Sequence, residues 1–127
     1  RLYEGLKQTA DRTLREMRPG LTCHRLYQTA AETAEEAGLG RYFMRIGSGP
    51  QSEQLPFIGH GLGLELNEPP LLALNSDERL EQGMVVTLEL LMGGRAAAEV
   101  VKLEDTVLIT EDGAEILCRT PRELQVL

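Results

Sequence analysis

Two long segments in the second half of the chain have the apolar and β-branched character of strands. They cover residues 84–91 and 98–110, and the glycine-containing residues 92–95 between them favour a turn. A second turn at residues 111–113 leads into a shorter strand over residues 114–118. Because consecutive strands joined by tight turns pair antiparallel, this half of the chain is predicted to form an antiparallel sheet.

The first part of the chain has helical periodicity instead. Apolar residues recur at every third or fourth position over residues 2–18, and Pro19 then ends the helix. Thr22 can cap a second helix, whose alanine-rich face suits close packing and which Gly38 ends. Two helices followed by a run of strands predict an α+β fold with an antiparallel sheet.

The connection between the helices and the sheet has a weaker pattern. Residues 42–46 are predicted to form a short strand, and residues 47–54, which are rich in glycine, serine and proline, a loop. Phe57 then leads into a glycine-rich segment.

Composition narrows the classes of partner. The chain has 127 residues, enough for one domain, and a formal net charge of -7; its 13 basic residues are scattered, which argues against a nucleic-acid-binding surface. Cys23 and Cys118 have no CxxC spacing and are predicted to stay reduced. The apolar segments have the length of strands rather than the roughly 20 residues of a membrane helix. No membrane partner is therefore expected, and a cytoplasmic location is predicted.

One histidine stands among glycines shortly before the long strands. His60 lies between Gly59 and Gly61, where glycine lets the backbone turn tightly and approach a ligand closely. Glu89 lies in the first of the long strands and Glu104 in the second. An imidazole together with carboxylates is a typical set of metal ligands.

Strand alternation predicts which side chains accompany the two glutamates. Val85 and Thr87 share a face with Glu89. The next strand has a polar face formed by Lys102, Glu104, Thr106 and Thr110. The two carboxylates can therefore face one cavity.

Structural interpretations remain open for the same residues. A histidine between glycines can cap a turn, and a glutamate in an apolar strand can protect a sheet edge from aggregation. A dinucleotide-binding loop is excluded, because G-x-G-x-x-G needs glycine where the chain has Leu64. The other histidine, His24, stands at a helix start and is predicted to cap the helix or face solvent.

Three motifs carry a family resemblance. In order along the chain they are GHGLGLELNEPP, GMVVTLEL and KLEDTVLITEDG. Together they resemble the signature of the pita-bread metallohydrolases, which include aminopeptidase P, prolidase, methionine aminopeptidase and creatinase. The Xaa-Pro peptidase branch is the most similar, and the match extends over residues 19–113. The resemblance implies a curved antiparallel sheet with two helices, in which residues 1–127 form the C-terminal portion of a pita-bread catalytic domain.

The resemblance also implies a ligand set for two divalent ions of Mn, Co, Fe or Zn. His60 stands where the family has its single histidine ligand, Glu89 at the first glutamate ligand, and Glu104 at the glutamate that bridges the two ions. Two aspartates from an earlier segment complete the family's site. None of this chain's aspartates lies upstream of the first helix, so the portion that carries those two ligands is expected to be absent and the site to be incomplete.

The activity that the resemblance implies is hydrolysis of the N-terminal bond of a peptide, often one preceding proline, by water that bridges two metal ions. One position departs from the family: Asn67 stands where most of the peptidases have a second histidine, and an amide cannot exchange a proton near neutral pH. Two alternatives therefore stay open, a creatinase-like hydrolase of a small amide or amidine and a non-catalytic binding domain. The isolated chain is expected to be inactive and, because of an exposed sheet edge, to form a homo-oligomer.

Overall fold

The computed structural model describes residues 1–47, 52–93 and 100–124. Within these residues two α-helices come first and seven strands follow. The helices are α1 (Leu2–Glu16) and α2 (Cys23–Glu36), and a 3-10 turn follows at Gly40–Tyr42. The strands are β1 (Arg45–Ile46), β2 (Glu53–Gln54), β3 (Phe57–Gly61), β4 (Glu68–Ala73), β5 (Val85–Gly93), β6 (Val100–Ile109) and β7 (Ala114–Ile116).

The helix boundaries follow the local signals in the sequence. The backbone of Met17 is extended, so α1 ends two residues before the predicted position. The Thr22 hydroxyl accepts a hydrogen bond from Arg25 N at 3.2 Å and caps α2 as predicted. Gly38 follows this helix with a φ of 69°, the left-handed exit that its position predicts. Neither helix is long and apolar enough to cross a membrane.

Five strands form one sheet in the order β4-β3-β5-β6-β7, and every neighbouring pair is antiparallel. The predicted α+β class with an antiparallel sheet is therefore confirmed. The long strands β5 and β6 pair over nine consecutive residue pairs, from Val85↔Leu108 to Gly93↔Val100. The turn predicted at residues 92–95 falls partly on residues 94–99, outside the described residues.

The helices cover one face of this sheet. Alternate residues of β5 point into the core beneath α1 and are fully or almost fully buried: Val86, Leu88, Leu90 and Met92. They pack with helix residues such as Leu6 and Leu26, which are also buried. The intervening residues of β5 point to the opposite face, as strand alternation requires. That second face carries Thr87 and Glu89.

The connection before β3 differs from its prediction. Residues 40–42 form a 3-10 turn, and only Arg45–Ile46 of the predicted strand at 42–46 is a strand. Met44 has a φ of 51°, a left-handed conformation that interrupts an extended chain. In the predicted loop at 47–54, Glu53–Gln54 pairs with β1, and residues 48–51 lie outside the described residues.

Strand β4 has no counterpart among the predicted strands. It contains Pro69 and Pro70, which lack the backbone N–H that a strand normally contributes. The strand lies at the edge of the sheet, where one side needs no ladder hydrogen bonds. Position in the sheet, which the local sequence does not specify, makes the proline pair tolerable.

The segment after β7 contacts both α1 and the sheet through Arg122. The Tyr3 hydroxyl donates to Arg122 O at 2.8 Å, and Arg122 Nη1 lies 2.5 Å from Asp11 Oδ1. Arg122 Nε is also 3.2 Å from Oδ2 of the buried Asp105, without the alignment of a hydrogen bond. Burial raises the pKa of Asp105, and the nearby guanidinium acts in the opposite direction. Arg122 thus ties the C-terminal segment to both α1 and the sheet.

The two cysteines are free thiols in different surroundings. Cys23 is buried in the first turn of α2, and Cys118 is exposed after β7. Burial, with a smaller effect of Glu78, raises the pKa of Cys23 to about 11.

Candidate metal centre

His60 lies on a central strand, between two glycines that let neighbouring strands approach closely. A Cβ atom on Gly59 would lie 2.0 Å from Thr87 O, and one on Gly61 would lie 2.3 Å from Pro69 O. Both positions therefore exclude any side chain. The close approach that these glycines allow in the structure is between strands. They do not form a tight turn, since residues 57–61 form strand β3 between β4 and β5.

The ring of His60 is 5% exposed and held in one orientation. Its Nδ1 lies 2.9 Å from Gly61 O, and because a carbonyl oxygen only accepts, Nδ1 carries the hydrogen. In the neutral ring this leaves the lone pair on Nε2, the arrangement typical of histidines that bind metals.

Thr87 holds the backbone of His60. It is the cross-strand partner of His60 on β5, and its Oγ1 accepts a hydrogen bond from His60 N at 3.3 Å. Strand alternation predicts that Thr87 lies on the same face as Glu89, but it does not predict the hydrogen bond between Thr87 and His60. Its hydroxyl acts on the site by positioning the histidine.

Glu89 and Glu104 are direct cross-strand partners on β5 and β6. One ligand atom from each glutamate and one from His60 all lie within 4.8 Å of one another. His60 Nε2 is 3.6 Å from Glu89 Oε2. The structure thus brings together the three residues that the sequence predicts as metal ligands. None of the four aspartates belongs to this cluster of described residues.

Lys102 joins the two glutamates. Its Nζ lies 2.6 Å from Glu89 Oε1 and 3.1 Å from Glu104 Oε2. The pKa of Lys102 is raised, chiefly by its hydrogen bond to Glu89. Strand alternation predicts that Lys102 lies on the same face as Glu104 but does not assign it a role. A cation two positions from a carboxylate on one strand face is nevertheless a signal for an ion pair.

These groups line an open cleft of about 340 Å³ on the face of the sheet away from the helices. The lining residues are Phe57, His60, Leu62, Leu66, Asn67, Glu89, Lys102 and Glu104. Asn67 is exposed and is not part of the three-residue cluster. Its place at the cleft is compatible with contact to a bound molecule.

The donor set fits a divalent cation. His60 Nε2 lies 3.6 Å from Glu89 Oε2, and the imidazole nitrogen and both carboxylates line the same cleft. One nitrogen and several carboxylate oxygens suit Mn, Fe, Co or Zn more than a metal that prefers thiolates.

The chain is similar to known proteins over nearly its whole length. The sequence model of metallopeptidase family M24 matches residues 1–111. The chain is 36% identical over 128 residues to the Xaa-Pro dipeptidase of Pyrococcus furiosus, a match that covers 97% of this chain and 32% of the relative.

Solved structures have the same fold. The prolidase from Pyrococcus furiosus matches 94% of this chain and 32% of its own length, with a TM-score of 0.79 and 34% identity. The X-Pro aminopeptidase from Thermotoga maritima matches 99% of this chain and 32% of its own length, with a TM-score of 0.84 and 27% identity. The pita-bread fold predicted from the sequence is confirmed, and the chain spans about a third of the length of these proteins.

Proposed function

Because the chain belongs to metallopeptidase family M24, we propose that it supplies His60, Glu89 and Glu104 to a metal centre for peptide hydrolysis. The bond cleaved is the N-terminal one, and the preferred substrate is an Xaa-Pro peptide. Similarity to an Xaa-Pro dipeptidase supports this substrate class. A cytoplasmic location is part of the same proposal.

The observation that carries the proposal is the cluster of three ligand atoms in the cleft, one each from His60, Glu89 and Glu104, all within 4.8 Å of one another. His60 donates its Nδ1 hydrogen to Gly61 O and presents Nε2 to Glu89 Oε2 at 3.6 Å. One imidazole nitrogen and two carboxylates that converge in this way form a donor set that suits a divalent cation.

Each group in the cleft has a distinct part in the proposed reaction. When bound, divalent ions supply an activated water nucleophile and a Lewis acid for the scissile carbonyl. His60, Glu89 and Glu104 would hold the ions, and the family resemblance assigns Glu104 the position of a ligand shared by both. The Asn67 amide donates a hydrogen bond to the substrate. Phe57, Leu62 and Leu66 offer an apolar wall for a substrate side chain or a proline ring.

Three protein ligands are fewer than a two-metal site requires. The family resemblance implies two further aspartates, which this chain does not provide. We therefore propose that the 127-residue chain binds metal weakly and does not turn over substrate by itself. Catalysis requires those aspartates in the same protein.

Asn67 supports a second candidate, hydrolysis of a small amide or amidine. An amide side chain at the cleft can orient a polar substrate but cannot shuttle a proton. Activity on a creatine-like amidine in preference to an Xaa-Pro peptide would favour this candidate.

Self-association is also proposed for the isolated chain. Leu64 is fully exposed and Leu66 is 87% exposed beside the cleft, and such neighbouring apolar side chains drive association. Sedimentation of the chain at tens of micromolar is expected to give a dimer or larger species. A monomer at that concentration contradicts this proposal.

A calorimetric titration with Mn²⁺ tests the metal site directly. The 127-residue chain is expected to bind, and Glu104→Gln is expected to abolish binding, because it removes a ligand charge. Glu115→Gln is the matched control, since Glu115 is an exposed glutamate on β7 outside the cluster. Equal affinity of the Glu104→Gln variant and the control would overturn the proposed site.

A further inference from the structure

Lys102 already holds the position between the two glutamates that suits a cation. Its single ammonium group contacts Glu89 Oε1 and Glu104 Oε2. Lys102 precedes Glu104 by two residues on β6, so both side chains leave the same face of the strand. Two glutamates in direct cross-strand contact repel each other, and the ammonium charge offsets that repulsion.

We propose that Lys102 is an internal cation that competes with a metal ion for Glu89 and Glu104 and so limits the metal affinity of the chain. This inference rests on the proposed metal site. A divalent ion bound to both glutamates repels an ammonium group only a few ångströms away. Metal binding therefore requires Lys102 to leave. Its side chain is 48% exposed, so solvent is available for the displaced ammonium group.

Each glutamate has one carboxylate oxygen that does not contact Lys102, but the lysine still competes with a metal ion for that carboxylate. Glu89 Oε2 faces His60 Nε2, but the other oxygen of the same carboxylate carries the ammonium contact. Glu104 likewise contacts the Lys102 ammonium group through Oε2. Each carboxylate therefore has part of its negative charge neutralised by the lysine before an ion arrives.

Removal of the charge tests the competition. In Mn²⁺ titrations of the 127-residue chain, Lys102→Met is expected to lower the Kd by about tenfold or more, as expected for the loss of one charge beside a dication. The metal-free variant is expected to have a lower Tm than the unmodified chain and a larger Tm increase with Mn²⁺. Lys102→Gln, which stays polar, is expected to give the same gain in affinity, and Lys102→Arg, which keeps the charge, no gain.

Lys7→Met is the matched control. Lys7 pairs with the exposed Glu123 at 3.4 Å, so its loss changes the net charge equally without touching the cleft. An unchanged or higher Kd in both Lys102→Met and Lys102→Gln, or an equal gain in Lys7→Met, would overturn the competition while leaving the metal site. A failure of the proposed metal site would give a different result. Mn²⁺ would then bind neither the unmodified chain nor Lys102→Met, or it would bind with a Kd that Glu104→Gln does not change.

Discussion

Glu89 on β5 lies directly opposite Glu104 on β6, and the two carboxylates share the ammonium group of Lys102. Like charges at paired positions destabilise a sheet unless a cation lies between them. The two strands stay in register over nine residue pairs, so strand pairing places the two glutamates opposite each other. A ligand that enters the cleft therefore meets an acidic pair that is already assembled.

Replacing Thr87 with valine is expected to weaken both the fold and the metal site. Valine keeps the shape of threonine but loses the hydroxyl that accepts from His60 N. Loss of this buried hydrogen bond is expected to lower the free energy of unfolding by about 1 kcal/mol, measured in urea. A less constrained His60 should also raise the Kd for Mn²⁺. Thr106→Val, at the cross-strand partner of Thr87, is the control, and equal stability of the two variants contradicts the prediction.

Replacing Arg122 with methionine is expected to destabilise the chain strongly. The change leaves Asp105 buried without its counter-charge and removes the contact to Asp11. A loss of about 3 kcal/mol in the free energy of unfolding is expected, because a buried charge is left unpaired. Because burial raises the pKa of Asp105, adding Asp105→Asn should recover part of the loss. Arg119→Met, at an exposed position, should change little, and a similar loss there would refute the buried-charge explanation.

The two thiols should differ in reactivity and in their effect on stability. The exposed Cys118 should react with a disulfide reagent first, and Cys23 only as the chain unfolds. Because the folded pKa of Cys23 is about 11 rather than 9.0, its contribution to stability is complete below pH 9 and is lost as the pH rises through 11. Between pH 9 and pH 11 the free energy of unfolding is expected to fall by at most about 1.4 kcal/mol per pH unit.

Urea unfolding at several pH values, compared between the unmodified chain and Cys23→Ala, measures this effect. The difference between the two stability curves should narrow above pH 9. Parallel curves up to pH 11 would show that ionisation of Cys23 has no part in alkaline unfolding.

Replacing Asn67 with histidine tests the proposed substrate class in a protein that combines this chain with both aspartate ligands. A histidine at this position of the cleft can exchange a proton with the substrate, and one positioned acid-base group is expected to raise kcat on Xaa-Pro peptides by about 10²-fold. Unchanged or lower turnover in a well-folded variant would indicate that residue 67 belongs to another substrate class. Asn67→Asp is a useful companion, since it alters charge without adding an imidazole.

Local patterns in the sequence predict the helices and the long strands, because caps and alternation are properties of neighbouring residues. The pairing of Glu89 with Glu104 depends on strand register, yet their shared face is predicted by alternation alone. The helix cap at Thr22 and the left-handed helix end at Gly38 are likewise predicted from the residue type at a single position.

Other features depend on contacts between distant residues, and the sequence does not specify them. Strand β4 is not predicted from the sequence, because Pro69 and Pro70 are compatible with a strand only at the edge of a sheet. The hydrogen bond from His60 to Thr87 depends on how β3 meets β5, across 27 positions. The left-handed conformation of Met44 has no local signal in the sequence.

Arg122 also affects the order in which the chain can mature during translation. It contacts Asp11 across 111 positions of sequence, so α1 leaves the ribosome several seconds before its partner is made, at roughly 5–20 residues per second. Until then the buried Asp105 lacks its counter-charge as well. The contacts of Arg122 with α1 and with Asp105 therefore form only after β7 and the segment behind it have emerged. A nascent chain that ends before residue 122 lacks both of them.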